Sequence, residues 1–139
     1  MSVLLSDRTS ANNFSNATWQ KGLVATLKAL APSKAKLVII GDVQTFNWPV
    51  PACLASYPHA IQKCSVPNPN RSLVEHQSAE RAAAKAVGAA YVDPTPWMCA
   101  KRCSPVIGSF IAYWDSNHVT ASYAAYLTRV MGTAVAPYL

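Results

Sequence analysis

The chain has 139 residues, 51% hydrophobic and 13% charged, with a formal net charge of +6. That length suits one domain with a real core, and the hydrophobicity is too high and the charge too low for a disordered chain. No apolar run approaches the roughly 20 residues that span a bilayer, and the opening MSVLLSDRTS lacks the basic and long apolar regions of a secretory signal.

The basic balance invites a nucleic-acid reading, but the distribution opposes it. Lys21, Lys28, Lys36, Arg71 and Arg81 are dispersed, and only Lys101 and Arg102 form an adjacent pair. No basic run is interleaved with aromatics, as a single-strand binder requires. A solvated basic surface and no nucleic-acid partner are expected.

In chain order, residues 2–6, SVLLS, read as a short buried strand, and the Asn- and Ser-rich residues 7–16 as a loop. Trp19, Leu23, Leu27 and Leu30 recur on one helical face after a cap at Asn16 or Thr18, and Pro32 and Ser33 stop that helix. Residues 35–41, AKLVIIG, form a continuous apolar run suited to a parallel strand buried on both faces. Residues 42–70 hold five prolines and read as loop. The alanine-rich residues 71–87 predict a helix closed by Gly88. Residues 89–92 are a short strand, 94–118 a second loop, and 120–135 a final helix capped by Thr120, with Tyr123, Leu127, Val130 and Ala134 on its apolar side. The alternation predicts an α/β fold, a mostly parallel sheet with helices on both faces. Ligands of such sheets bind beyond the carboxyl ends of the strands.

Four cysteines, Cys53, Cys64, Cys99 and Cys103, allow three connectivities. The expected one is local, Cys53 with Cys64 and Cys99 with Cys103, each closing a short loop beside prolines. Free thiols and a zinc site are the alternatives, although C-x3-C is a weak zinc signal and C-x10-C is none. Disulfides would place the domain outside the reducing cytosol.

The sharpest chemical signal is Asp115-Ser116-Asn117-His118, just before the last helix. A hydrolytic triad uses a carboxylate to fix the imidazole tautomer through Nδ1–H, leaving Nε2 to take a serine proton. Alone, D-x-x-H is common by chance, and the competing reading is an Asp that caps a turn beside a surface His.

The context is more specific. The chain combines the strand LVIIGDV, the loop VPACLA, the second cysteine pair in WMCAKRC and the stretch YWDSNHVTASYAAYL. Together these resemble the extracytoplasmic SGNH-hydrolase-like domain at the C-terminus of acyltransferase-3 membrane proteins. The resemblance covers about residues 2–139 and implies an SGNH/flavodoxin-like three-layer sandwich. It also implies a serine esterase or O-acyltransferase acting on cell-envelope glycans, with Asp115 and His118 as triad acid and base. The partners implied are an acyl donor, a glycan acceptor and an upstream acyltransferase membrane domain; no cofactor or metal is implied.

One departure matters. The family's nucleophile lies in a G-D-S motif, and none occurs here. Gly41-Asp42-Val43 ends a suitable strand, but Val43 has no nucleophilic oxygen. Ser6-Asp7 follows the first strand without the glycine a tight turn wants. Residues 1–139 therefore read as the C-terminal part of the family domain, truncated at its N-terminus. The serine is expected upstream of Met1 or on a partner chain. The alternative is a remnant without a nucleophile that binds glycan or a partner outside the cytosol.

By position, Arg8 is a candidate substrate-binding residue and Asn12 or Asn13 a candidate oxyanion donor. Trp114, beside Asp115, is a candidate for lining an acceptor-sugar groove. Ser10, Ser15, Ser104 and Ser116 are the remaining hydroxyls considered as nucleophiles, and none lies on a strand-to-helix elbow. His59 and His76 are expected to be surface or core residues. Asp42 and Asp93 are expected as turn formers that end strands.

Overall fold

The structure is a computed structural model, and it describes residues 1–6 and 14–139. Its elements are β1 (Ser2–Ser6), α1 (Asn16–Leu30), β2 (Lys36–Ile40), α2 (Val50–Ser56), β3 (Val66–Pro67), α3 (Arg71–Val87), β4 (Ala90–Val92), α4 (Thr95–Met98), β5 (Arg102–Cys103), β6 (Val106–Ile107), β7 (Phe110–Ile111) and α5 (Ala121–Val135). The chain divides into two compact units. One comprises Met1–Asp42, Arg71–Pro94 and Gly132–Leu139, and the other Val43–Asn70 and Thr95–Met131.

The first unit holds the sheet, in the order β1-β2-β4 with every pairing parallel. β1 runs alongside β2 over its whole length, from Ser2 opposite Lys36 to Ser6 opposite Ile40. Val38, Ile39 and Ile40 are buried, as a strand covered on both faces requires. Leu27 of α1 and Ala84 of α3 close on Ile39 to form this unit's core. The small alanines of α3 let α1 approach it closely. Ser15 caps α1, its Oγ accepting from Thr18 N at 3.2 Å. The cap therefore falls at neither Asn16 nor Thr18, the two residues expected, because the extended backbone at Ser15 (ψ 153°) aims its hydroxyl at the free N–H groups. Gly88 ends α3 with φ +71°, and the N–H groups of Gly88 and Ala89 reach back to Lys85 O and Ala84 O. That is a Schellman closure, which only a residue tolerant of positive φ accommodates without strain.

The second unit is built from the two stretches expected to be loop. Both contain short elements: α2 and β3 in residues 42–70, and α4 with β5, β6 and β7 in residues 94–118. The pairs are β3 with β5 and β6 with β7, both antiparallel. Phe46, Val50, Met98, Tyr113, Tyr123 and Leu127 make a buried aromatic cluster that fixes these segments. Tyr123 Oη donates to Trp97 O at 2.5 Å. Thr120 caps α5 as expected, its Oγ1 accepting from Tyr123 N. Val130 does not join the apolar side of α5, since it is 40% exposed whereas Tyr123, Leu127 and Val135 are buried.

Both cysteine pairs are disulfides, Cys53–Cys64 and Cys99–Cys103. The first ties α2 to the turn Ile61–Cys64, and Cys64 and Cys103 are buried. Closing a loop of such length removes denatured-state entropy worth about 2–3 kcal/mol per bridge. Reducing both bridges should therefore lower the melting temperature by roughly 15 °C. Differential scanning calorimetry with and without reductant checks this, and an unchanged melting temperature contradicts it.

Candidate active site

Asp115 and His118 lie on a tight loop between Tyr113 and Val119, which form an isolated antiparallel bridge. Trp114 N donates to His118 O at 3.0 Å, and Thr120 N to Ala112 O at 2.9 Å, so the loop closes like a hairpin. From a distant part of the sequence, Phe46 N donates to Ser116 O at 2.8 Å and Val50 N to Asp115 O at 3.2 Å. These bonds hold the backbone of the loop from outside, while Tyr113 anchors its base against Phe46, ring centroids 5.0 Å apart.

The carboxylate of Asp115 serves two purposes. Oδ1 accepts from Asn117 N at 2.8 Å and from His118 N at 2.7 Å, which locks the turn. Oδ2 lies 2.5 Å from His118 Nδ1. Burial pushes the Asp115 carboxyl upward, but the two backbone N–H groups and then the His118 imidazole outweigh it and hold the group at about 2. It is therefore ionised at neutral pH and accepts only, so His118 Nδ1 must carry the proton that fills the bond. Neutral His118 is then the Nδ1–H tautomer with Nε2 bare, the state a general base requires. The imidazole side chain is 50% exposed, open to an incoming group.

Trp114 is 65% exposed, with its ring centroid 6.5 Å from that of His118. The structure thus brings Asp115, His118 and Trp114 together. Arg8, Asn12, Asn13 and Ser10 lie outside the described residues. The other hydroxyls considered have structural partners: Ser15 caps α1, Ser104 Oγ accepts from Val106 N, and Ser116 Oγ donates to Asn117 Oδ1. His59 is exposed and His76 is buried.

Gly41-Asp42-Val43 has its own explanation. A Cβ at Gly41 would run into the Tyr91 hydroxyl. Tyr91 Oη donates to Glu80 Oε2 at 3.1 Å, and burial, then the Glu80 charge, raises the Tyr91 phenol. Glu80 is 1% exposed, and its oxygens accept from Asp42 N at 3.2 and 3.1 Å. Gln77 Nε2 donates to Asp42 O at 2.9 Å, and His76 Nε2 lies 3.6 Å from Glu80 Oε1. The glycine therefore makes room for a buried clamp on the carboxyl end of β2, which is a role distinct from a nucleophile turn. Sequence reasoning missed this clamp, whose one visible sign was the spacing of His76 and Glu80, four apart on a helix.

The family model for the SGNH domain fused to AT3 domains matches residues 2–133. The chain belongs to this family. Among solved structures, the SGNH domain described here is similar to the periplasmic domain of the lipopolysaccharide acetyltransferase of Salmonella ser. Paratyphi A. The TM-score is 0.73 at 18% sequence identity, over 96% of this chain and 54% of that one. The SGNH domain thus shares the neighbour's fold and spans about half of its length. A comparison with curated proteins gives no match.

Proposed function

We propose that this SGNH domain supplies the acid–base pair of a serine-type acyl transfer, moving acyl groups on cell-envelope glycans outside the cytosol. Membership of a family fused to AT3 domains supports a membrane acyltransferase as its setting. The observation that carries the reading is the 2.5 Å bond between His118 Nδ1 and an Asp115 carboxylate already pinned by two backbone donors.

In this reading the serine comes from a segment outside these residues, since the chain has no G-D-S and Ser15, Ser104 and Ser116 are hydrogen-bonded within their own turns. His118 Nε2 takes the serine proton as Oγ attacks the acyl carbonyl, and Asp115 stabilises the imidazolium. The imidazolium returns that proton to the leaving oxygen as its bond to carbon breaks, giving an acyl-enzyme. Nε2 then removes a proton from an acceptor hydroxyl, whose oxygen attacks the acyl carbon, and the imidazolium returns that proton to Oγ as the bond to the acyl carbon breaks and the serine is released. Trp114 offers an exposed aromatic face against which an acceptor sugar ring packs.

A fluorophosphonate probe tests where the nucleophile lies. It should leave the chain unmodified by intact mass. Stoichiometric labelling of Ser6, Ser10, Ser104 or Ser116 would show that the attacking hydroxyl is internal.

A further inference from the structure

The second unit carries an open groove of about 420 Å³ along α2, lined by Trp48, Pro49, Ala52, Ser56, Tyr57 and Lys63. The Cys53–Cys64 disulfide joins α2 to the turn Ile61–Cys64, so it fixes the spacing between the α2 side of the groove and Lys63. Tyr57 is 41% exposed, and the Lys63 ammonium stands 4.8 Å from the centre of its ring. Among the described residues Lys63 pairs with no carboxylate. Its own unit has little to offer. Residues 43–70 and 95–131 hold Lys63, Lys101, Arg102 and Arg129 but a single acid, Asp115, which is taken up by His118 and two backbone N–H groups. Ser56 Oγ donates to Ala52 O at 2.9 Å, which leaves its lone pairs for an outside donor. The groove also shares a segment with the acid–base loop. Phe46 N and Val50 N hold Ser116 O and Asp115 O, and Trp48 and Pro49, between them in sequence, line the groove.

We propose that this groove binds a pyranose bearing an anionic group, a uronate or a sugar phosphate, as a subsite for the glycan acceptor. The negative face of an aromatic ring attracts the weakly positive C–H bonds of a sugar face, and Trp48 and Tyr57 line the groove with such rings. The Lys63 ammonium, already steadied by its contact with Tyr57, supplies the positive charge for a carboxylate or phosphate oxygen. Ser56 Oγ accepts from a ring hydroxyl. A purely apolar ligand would leave Lys63 without a counter-charge, and a nucleic acid needs several cations along its backbone where the groove has one. That the sugar belongs to the acceptor rests on the reading of Asp115 and His118 as an acid–base pair; that the groove binds it does not.

Proton–nitrogen NMR titration of the chain tests this. The probes are methyl β-D-glucuronide and glucose 6-phosphate, against methyl β-D-glucoside, which has the ring without the charge. At least one anionic sugar should shift the Lys63 amide and Trp48 indole resonances and bind roughly threefold or more tighter than the glucoside. Which of the two does so separates a uronate from a sugar phosphate. Lys63→Gln should reduce that sugar to the affinity of the glucoside, and Tyr57→Ala should weaken all three, with circular dichroism unchanged. Lys101→Gln removes a charge of the same unit outside the groove and should leave binding as it was. Equal affinity for charged and neutral sugars, equal losses in Lys63→Gln and Lys101→Gln, or the same response to acetate and inorganic phosphate alone would each overturn the proposal. The titration involves no turnover, so the groove and the catalytic reading fail independently.

Discussion

If the proposed function holds, replacing His118 by alanine in the full-length protein should lower acyl transfer by roughly 10⁴-fold or more while leaving the protein folded and exported. The imidazole is half exposed and its removal opens no core cavity, so the loss would be chemical. Asp115→Asn should cost about as much, roughly 10³–10⁴-fold, for a different reason. An asparagine oxygen at Oδ1 still accepts from Asn117 N and His118 N and keeps the turn, but an amide N–H₂ facing Nδ1 forces the opposite tautomer. Transfer of the acyl group to the glycan, followed by mass spectrometry, measures both. Transfer within threefold of wild type by His118→Ala would remove His118 from the mechanism and leave the alternative, a glycan-binding module.

The second large effect is on stability. Glu80→Ala should destabilise the chain by about 3–5 kcal/mol, because it strands the Asp42 N–H and the Tyr91 hydroxyl without their acceptor. Against a total of about 5–15 kcal/mol for a domain, that is a large share. Glu80→Gln keeps one oxygen for both donors and should cost roughly 1–2 kcal/mol. Urea denaturation of the three proteins distinguishes these values. Equal midpoints for wild type and Glu80→Ala would mean that the clamp contributes nothing.

The sheet and its two helices were legible because their signals are local. AKLVIIG can bury both faces only as a strand, and an alanine-rich stretch ending in glycine declares α3 and its closure. The second unit was not legible in that way. α2, α4 and the two-residue strands are too short to show a period, and they are held by disulfides and by the contacts of Phe46, Tyr113 and Tyr123. The candidate site divides along the same line. The D-x-x-H spacing and the exposed tryptophan beside it are written in consecutive residues. The donors that fix the loop, Phe46 N and Val50 N, come from a different part of the sequence, and backbone groups leave no mark in a sequence. Glu80 was hidden for the opposite reason: one acid on a long polar helix reads as solvated until the fold places it beneath β2.

The protonation of the His118 ring bears on the central claim without requiring a nucleophile or a substrate. Nitrogen-15 NMR of the chain, at a pH where the ring is neutral, should show His118 as the Nδ1–H tautomer with Nε2 unprotonated, and Asp115→Asn should reverse it. A neutral ring protonated at Nε2, or one that exchanges between both forms as free imidazole does, would contradict the assignment of Asp115 and His118 as a catalytic pair.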